Sequence, residues 1–301
     1  MSAFTEAPAQ QRVLDPTALG AVIVTIAAWA SSFVVIRVCL GALSPVELAT
    51  ARYVSAAVVA AAYLSFRWTP LDRRDVLRIG VAAVLFIAVY AVLLNTGEQT
   101  IAAGPASFII NTMPVITAVI ATFALGERFG LWGWIGTAIS FGGVALIALG
   151  SGGGFGLDFN ALLILGAAVC SATASVLQKP VLARMPPLTV TAWILLIGAV
   201  PLLPAVPATI TAIAAAPVAV DASLAYLVIF PTLVGYVTWA IALKRLSAAR
   251  ATNFLYGVPP TATLTGFVFL GEVPSVIGAV GGAMAIGGVV FVNIMRRRWS
   301  Q

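Results

Sequence analysis

The sequence predicts an all-α integral membrane protein: ten transmembrane helices in two inverted five-helix repeats, with N- and C-termini cytoplasmic. Three observations carry that prediction. Of 301 residues, 61% are hydrophobic and 9% charged, against about half and about a quarter in soluble domains. Prolines, glycines and charges divide the chain into ten apolar stretches, each near the roughly 20 residues that a spanning helix needs. The second half also repeats a pattern of the first at one fixed offset.

The stretches lie near 17–39, 45–66, 76–96, 104–125, 131–149, 159–179, 188–210, 222–243, 250–270 and 275–295. Ser44-Pro45 separates the first two, and the charged run from Arg67 to Asp75 ends the second. Gly97 to Gly104, Gly126-Glu127-Arg128, Pro186-Pro187, Pro217 to Asp221, Lys244 to Arg250 and Gly271 to Pro274 make further breaks. Ala28-Trp29-Ala30 imitates a signal-cleavage site, but the apolar run continues past it. The leader sets Arg12 against Glu6 and Asp15, so this stretch reads as a retained helix. The glycine-rich run 150–158 links a first repeat, 17–149, to a second, 159–295. A tail precedes them at 1–16 and a basic tail follows at 296–301. No Lys-Ser/Thr follows the glycine run, which argues against a phosphate loop.

With the N-terminus inside, 14 of the 16 basic residues fall in inner loops and tails, leaving Arg37 and Arg52 outside. The net charge of +6 therefore reports topology through the positive-inside rule, and no nucleic-acid partner is expected. Histidine is absent, which removes Ser-His-Asp hydrolases and His-ligated zinc. Cys39 and Cys170 lie in apolar runs and offer no metal cluster. No enzyme, metal or cofactor is expected.

Residues 104–147 slide onto 249–292 at an offset of 145, with nine identities between 125 and 144. Pro114 meets Pro259, Leu125-Gly126-Glu127 meets Leu270-Gly271-Glu272, and Gly142-Gly143-Val144 meets Gly287-Gly288-Val289. Five helices is an odd number, so the second copy enters the membrane upside down, an arrangement that recurs in secondary transporters.

The proline-bearing helix that ends in Leu-Gly-Glu before a glycine-studded helix spans Pro114 to Val144 and again Pro259 to Val289. With Ala28-Trp29-Ala30-Ser31-Ser32-Phe33 in the first helix, it resembles the drug/metabolite transporter superfamily in its EamA-type ten-helix branch. The resemblance implies a secondary transporter in a bacterial inner (plasma) membrane that exports small amphipathic metabolites. Amino acids, aromatic ones included, are the leading case. The alternatives are a nucleotide-sugar or phosphorylated-metabolite exchanger and a multidrug exporter. The four-helix multidrug relatives carry a glutamate in helix one where this chain has Ala27-Ala28-Trp29, which argues against cationic drugs. Phosphates want a cationic pocket, whereas Arg37, Arg52 and Lys179 fall near predicted helix ends.

Ser107, Asn111 and Pro114 fall at i, i+4 and i+7 in the fourth stretch and share a face. The offset places Thr252, Tyr256 and Pro259 at equivalent positions in the ninth, with Thr263 extending the stripe. Pro114 and Pro259 read as hinges that free backbone carbonyls. Similar faces are Thr25, Trp29 and Ser32; Ser171, Ser175 and Gln178; and Thr232, Tyr236 and Trp239, with Tyr90 from the third stretch. A small-molecule substrate is expected between Trp29, Ser32, Tyr90, Ser107, Asn111, Ser171, Gln178, Tyr236, Trp239, Thr252 and Tyr256.

Other groups take structural readings. Trp68, Trp132, Trp134, Tyr226 and Trp299 suit an interfacial belt in the lipid bilayer. The glycines of the fifth and tenth stretches permit close packing, as scaffold or as a homodimer surface. Glu47, Glu98, Glu127, Asp158, Asp221 and Glu272 fall near helix ends, Glu127 and Glu272 favouring the dipoles of the helices they precede. Arg37 and Arg52 are expected to snorkel to the surface. With no deep carboxylate or arginine cluster, the expected substrate is neutral overall with an apolar or aromatic side chain. Transport is expected to have no strict proton requirement and to change little between about pH 6 and 8, for want of histidine.

Overall fold

The computed structural model describes residues 15–100, 106, 109–127, 130–150, 159–270 and 276–299, whose regular structure is all helical. Ser107, Asp158, Glu272, most of the glycine linker and the chain tips lie outside them. In order, the helices are α1 (Pro16–Leu40), α2 (Pro45–Phe66), α3 (Arg73–Gly97) and α4 (Met113–Leu125). After them come α5 (Leu131–Gly150), α6 (Phe159–Leu182), α7 (Pro187–Ala215), α8 (Val218–Arg245), α9 (248–270) and α10 (Val276–Trp299). Six of them, α1, α2, α3, α6, α7 and α8, are long and apolar enough to cross a membrane. Ser44 starts α2 with a capping box, its hydroxyl on the Glu47 amide and the Glu47 carboxylate on the Ser44 amide. α7 runs past its predicted end to Ala215, and within it Pro201 and Pro204 are absorbed in a 3₁₀ turn, Val200–Ala205.

α5 and α10 pack on one another through their glycines. A Cβ at Gly143 would lie 2.4 Å from the Ala285 nitrogen, and one at Gly288 would lie 2.6 Å from the Gly136 oxygen. The two helices are antiparallel, since 136 meets 288 while 143 meets 281. Ser140 and Ala285 are equivalent at the offset of 145, and the Ser140 hydroxyl donates to the Ala285 carbonyl at 2.9 Å. Equivalent helices that cross antiparallel at equivalent residues make the second repeat an inverted copy of the first. The glycine faces predicted as scaffold or homodimer surface are thus used within one chain.

Breaks in helical hydrogen bonding recur with the same symmetry. α3 widens to a π-helical stretch at Val84–Val89 and α8 at Val228–Val234. A turn at Asn111-Thr112 precedes α4, and a 3₁₀ turn at Phe254–Gly257 interrupts α9. The offset of 145 carries 84–89 onto 229–234 and 111–112 onto 256–257. Pro114 and Pro259 each sit just after a break, where their missing amides cost no helical bond.

One end of the bundle is tied across the two halves. Glu127 accepts from the amides of Ala248 at 2.9 Å and Ala249 at 3.3 Å. Arg184 reaches both oxygens of the buried Asp75 at 2.7 and 2.8 Å, and Arg245 pairs with Asp15. The Arg245 hydrogen bond holds the Asp15 carboxyl below its ordinary pKa. Lys179 donates to the carbonyls of Leu243 and Leu246, and Lys244 to that of Met185 at 3.1 Å. Asp15 at the start of α1 belongs to this end. Since α10 runs antiparallel to α5, its C-terminus returns here as well.

Candidate functional site

Toward the opposite end, the halves enclose a cavity of about 720 Å³ counting its mouth. α1 contributes Trp29, Ser32, Phe33 and Ile36, and α2 contributes Arg52 and Tyr53. Phe86 and Tyr90 come from the π-helical region of α3, Asn111 and Pro114 from the break before α4. The second half supplies Ser171 from α6, Tyr236 from α8, and Leu255 and Val258 around the α9 break.

Packed aromatic rings form one wall. Phe86 stacks on Tyr236 with centroids 4.9 Å apart, and Trp29 meets Tyr236 edge-on at 6.0 Å. Trp29 leans on Trp239 at 5.5 Å, and Tyr90 on Phe86 at 6.1 Å. Hydrogen bonds fix these rings: the Tyr53 and Tyr236 hydroxyls meet at 2.8 Å, and the Trp29 indole N–H donates to the Pro231 carbonyl at 3.1 Å. Gly235 makes the latter possible, because a Cβ there would lie 2.8 Å from the Trp29 indole nitrogen.

The two serine hydroxyls lining the cavity already have acceptors. Ser32 donates to the Trp29 carbonyl at 2.7 Å, and Ser171 to the Met113 sulfur at 3.3 Å. They can still accept from a ligand.

Of the predicted substrate-binding residues, Trp29, Ser32, Tyr90, Asn111, Ser171 and Tyr236 line this cavity, with Pro114 at its wall. Gln178, Trp239, Thr252 and Tyr256 do not. All four are buried, and among the described residues the Gln178 amide nitrogen, the Trp239 indole nitrogen and the Tyr256 hydroxyl have no hydrogen-bond partner. Gln178, Trp239 and Thr252 lie about a turn or more from the nearest lining residue of their own helix, whereas Tyr256 sits between the lining Leu255 and Val258 and is itself buried off the cavity surface. Pro259 is likewise buried away from it. Ser107 lies outside the described residues.

Three charged groups differ from expectation. Arg52 does not snorkel: it is 8% exposed and its Nε donates to the Thr232 hydroxyl at 2.6 Å. Glu98 does end a helix, but α6 covers it, Ile164 packing directly on Gly97, and among the described residues neither carboxylate oxygen has a hydrogen-bond partner. Glu127 serves the N-terminus of α9 in the other half, not that of α5. Tyr53 and Phe86 are not among the residues the sequence predicts for the site, and Arg52 is expected only at the surface. The i, i+4 spacing of Phe86 and Tyr90 was the available signal for Phe86.

Comparison with known proteins follows this geometry closely. The sequence model of the EamA-like transporter family matches residues 16–149 and 159–294, the two repeats. A "Probable terminal-alkyne amino-acid exporter" from Streptantibioticus cattleyicolor is 39% identical over 280 residues, covering 92% of this chain and 93% of its own. The "Uncharacterized transporter YdfC" of Bacillus subtilis is 33% identical, over 88% of this chain and 87% of its own. A "Probable amino-acid metabolite efflux pump" of Escherichia coli is 24% identical, over 92% and 94%. A crystal structure at 20% identity superposes with a TM-score of 0.75 over 95% of this chain and 99% of the other, a likeness of fold.

Proposed function

The chain belongs to the EamA-like transporter family, and from that membership we propose that it exports neutral amino acids with apolar side chains, aromatic ones included. It is a multi-pass membrane protein and a secondary transporter, and its relatives are transporters, not enzymes. The carrying observation is the cavity between inverted halves, whose aromatic wall and few polar anchors suit an amphipathic molecule of amino-acid size. The names of two relatives, which mention amino acids, support the same class. The basic loops and tails favour cytoplasmic termini, and in that orientation the cavity of this conformation faces outward. Release to the outside is then followed by closure of this end and opening of the tied one, around hinges at Pro114 and Pro259.

Counterflow in liposomes holding the purified protein tests the reading. Preloaded L-phenylalanine, L-leucine or a terminal-alkyne amino acid should drive uptake of its labelled form without an imposed pH gradient. Exchange of UDP-sugars with no response to amino acids would overturn the substrate class.

A further inference from the structure

We propose that Arg52 is the receptor for the substrate's carboxylate, which makes the cavity selective for a single carboxylate joined to an apolar group. The inference rests on the amino-acid reading and adds to it the residue and the chemical group recognised.

A chain of backbone and side-chain contacts aims the guanidinium. Pro231 has no amide, so the Leu227 carbonyl one turn earlier in α8 lacks its usual helical donor. The Thr232 hydroxyl donates to that carbonyl at 2.8 Å, which turns its lone pairs outward. Arg52 Nε, arriving from α2, donates to this hydroxyl at 2.6 Å, and the guanidinium carbon lies 5.0 Å from the centroid of the Tyr53 ring. The Tyr53 ring is itself held by the Tyr236 hydroxyl. One N–H and one flank of the guanidinium are therefore committed to protein.

The four Nη hydrogens are not. Among the described residues they make no hydrogen bond, and no ion pair includes Arg52. Glu98 lies close enough to feel the Arg52 charge, yet its carboxylate oxygens make no bond to it. A buried cation without a counterion is costly. A planar fork of free N–H groups beside a cavity complements a carboxylate in bidentate geometry. The class follows from what surrounds the fork. Arg52 is the one cation among the cavity-lining residues, which suits one negative charge and not a polyphosphate, and the rings of Trp29, Phe86 and Tyr236 suit an apolar remainder.

Three matched probes isolate the carboxylate: L-phenylalanine, L-phenylalaninol (hydroxymethyl in place of the carboxylate) and 3-phenylpropionate (no ammonium). Binding is read as thermal stabilisation of the full-length protein in detergent, and transport as competition against phenylalanine counterflow. Wild type should favour phenylalanine over phenylalaninol by about tenfold or more, as the loss of a buried charge-assisted pair implies. Arg52→Gln should weaken phenylalanine by about the same factor and leave phenylalaninol unchanged, so that discrimination disappears, with Arg52→Lys in between. Persistent discrimination in a folded Arg52→Gln protein overturns the proposal. So does a wild type indifferent to the carboxylate, a comparison that needs no variant to fold. If no amino acid exchanges but 3-phenylpropionate stabilises the protein in an Arg52-dependent way, the amino-acid reading fails while the carboxylate receptor stands. If no carboxylate has any effect, the receptor fails too.

Discussion

Asn111 and Tyr256 occupy the same place in the two repeats, and they meet the cavity differently. Asn111 lines it, at the break before α4. Tyr256, at the matching break in α9, is fully buried with its hydroxyl unpartnered. The ends of the bundle differ in the same sense. The tied end spends Glu127, Asp75 and Asp15 on bonds to the other half, whereas the carboxylate oxygens of Glu98, toward the cavity end, make no hydrogen bond among the described residues. Two copies related by inversion cannot present equivalent stripes to the same side at once. The α4 stripe belongs to the open half, and the α9 stripe, with Gln178 and Trp239, waits in the closed one. Their unsatisfied polar atoms are an energetic reason for that half to open, since a buried donor without an acceptor costs about 1–3 kcal/mol.

The largest expected effect breaks the axis that makes the two helices comparable. Gly288→Leu should destabilise the folded protein by about 3 kcal/mol through overpacking against the Gly136 and Ser140 backbones. Gly287→Leu, where a Cβ meets nothing within 4 Å, should melt like wild type in detergent.

Asn111→Ala and Tyr256→Ala come next. Each should lower counterflow by about tenfold, as loss of a buried polar contact implies, while the protein stays folded. Val119→Ala on an exposed face should not matter. Tyr256→Phe sharpens the contrast. Removing an unpartnered buried hydroxyl should stabilise this conformation by up to about 1 kcal/mol and yet slow exchange, because the hydroxyl is used only when the other half opens. Equal or faster exchange would separate Tyr256 from the transport cycle.

Smaller effects compare the two carboxylates. Glu127→Ala removes the acceptor at the start of α9 and should cost about 1 kcal/mol, the usual size of a lost N-cap, seen as a lower melting temperature. Glu98→Gln should be neutral or slightly stabilising, because the carboxylate it replaces makes no bond. A large loss at Glu98 together with none at Glu127 would reverse the assignment of open and tied ends.

The helices were legible in the sequence because lipid leaves them few alternatives: each backbone polar group must be satisfied within its own segment, so apolar runs and their punctuation locate the spans. The inverted repeat was legible because Gly136, Gly143 and Gly288 must remain small where α5 and α10 touch. The faces of the site were readable from spacing. Their occupancy was not, since Tyr256 and Asn111 carry the same periodic signal and only the conformation distinguishes them. Arg52 was misread because a lone arginine near a helix start usually reaches the surface. It lies seven residues past Pro45, roughly 10 Å along the helix axis at 1.5 Å per residue, and its anchor depends on Pro231 in the other half, a pairing that spacing along the chain does not encode.

The most direct test places a single cysteine at either position, Asn111→Cys or Tyr256→Cys, in a background with Cys39 and Cys170 replaced. A membrane-impermeant maleimide is applied to right-side-out and inside-out vesicles, with and without L-phenylalanine. The account predicts that the cysteine at 111 reacts from the outer face and the one at 256 from the face bearing the termini, substrate shifting the two in opposite directions. Reaction of both from one face, or a common response to substrate, would contradict it.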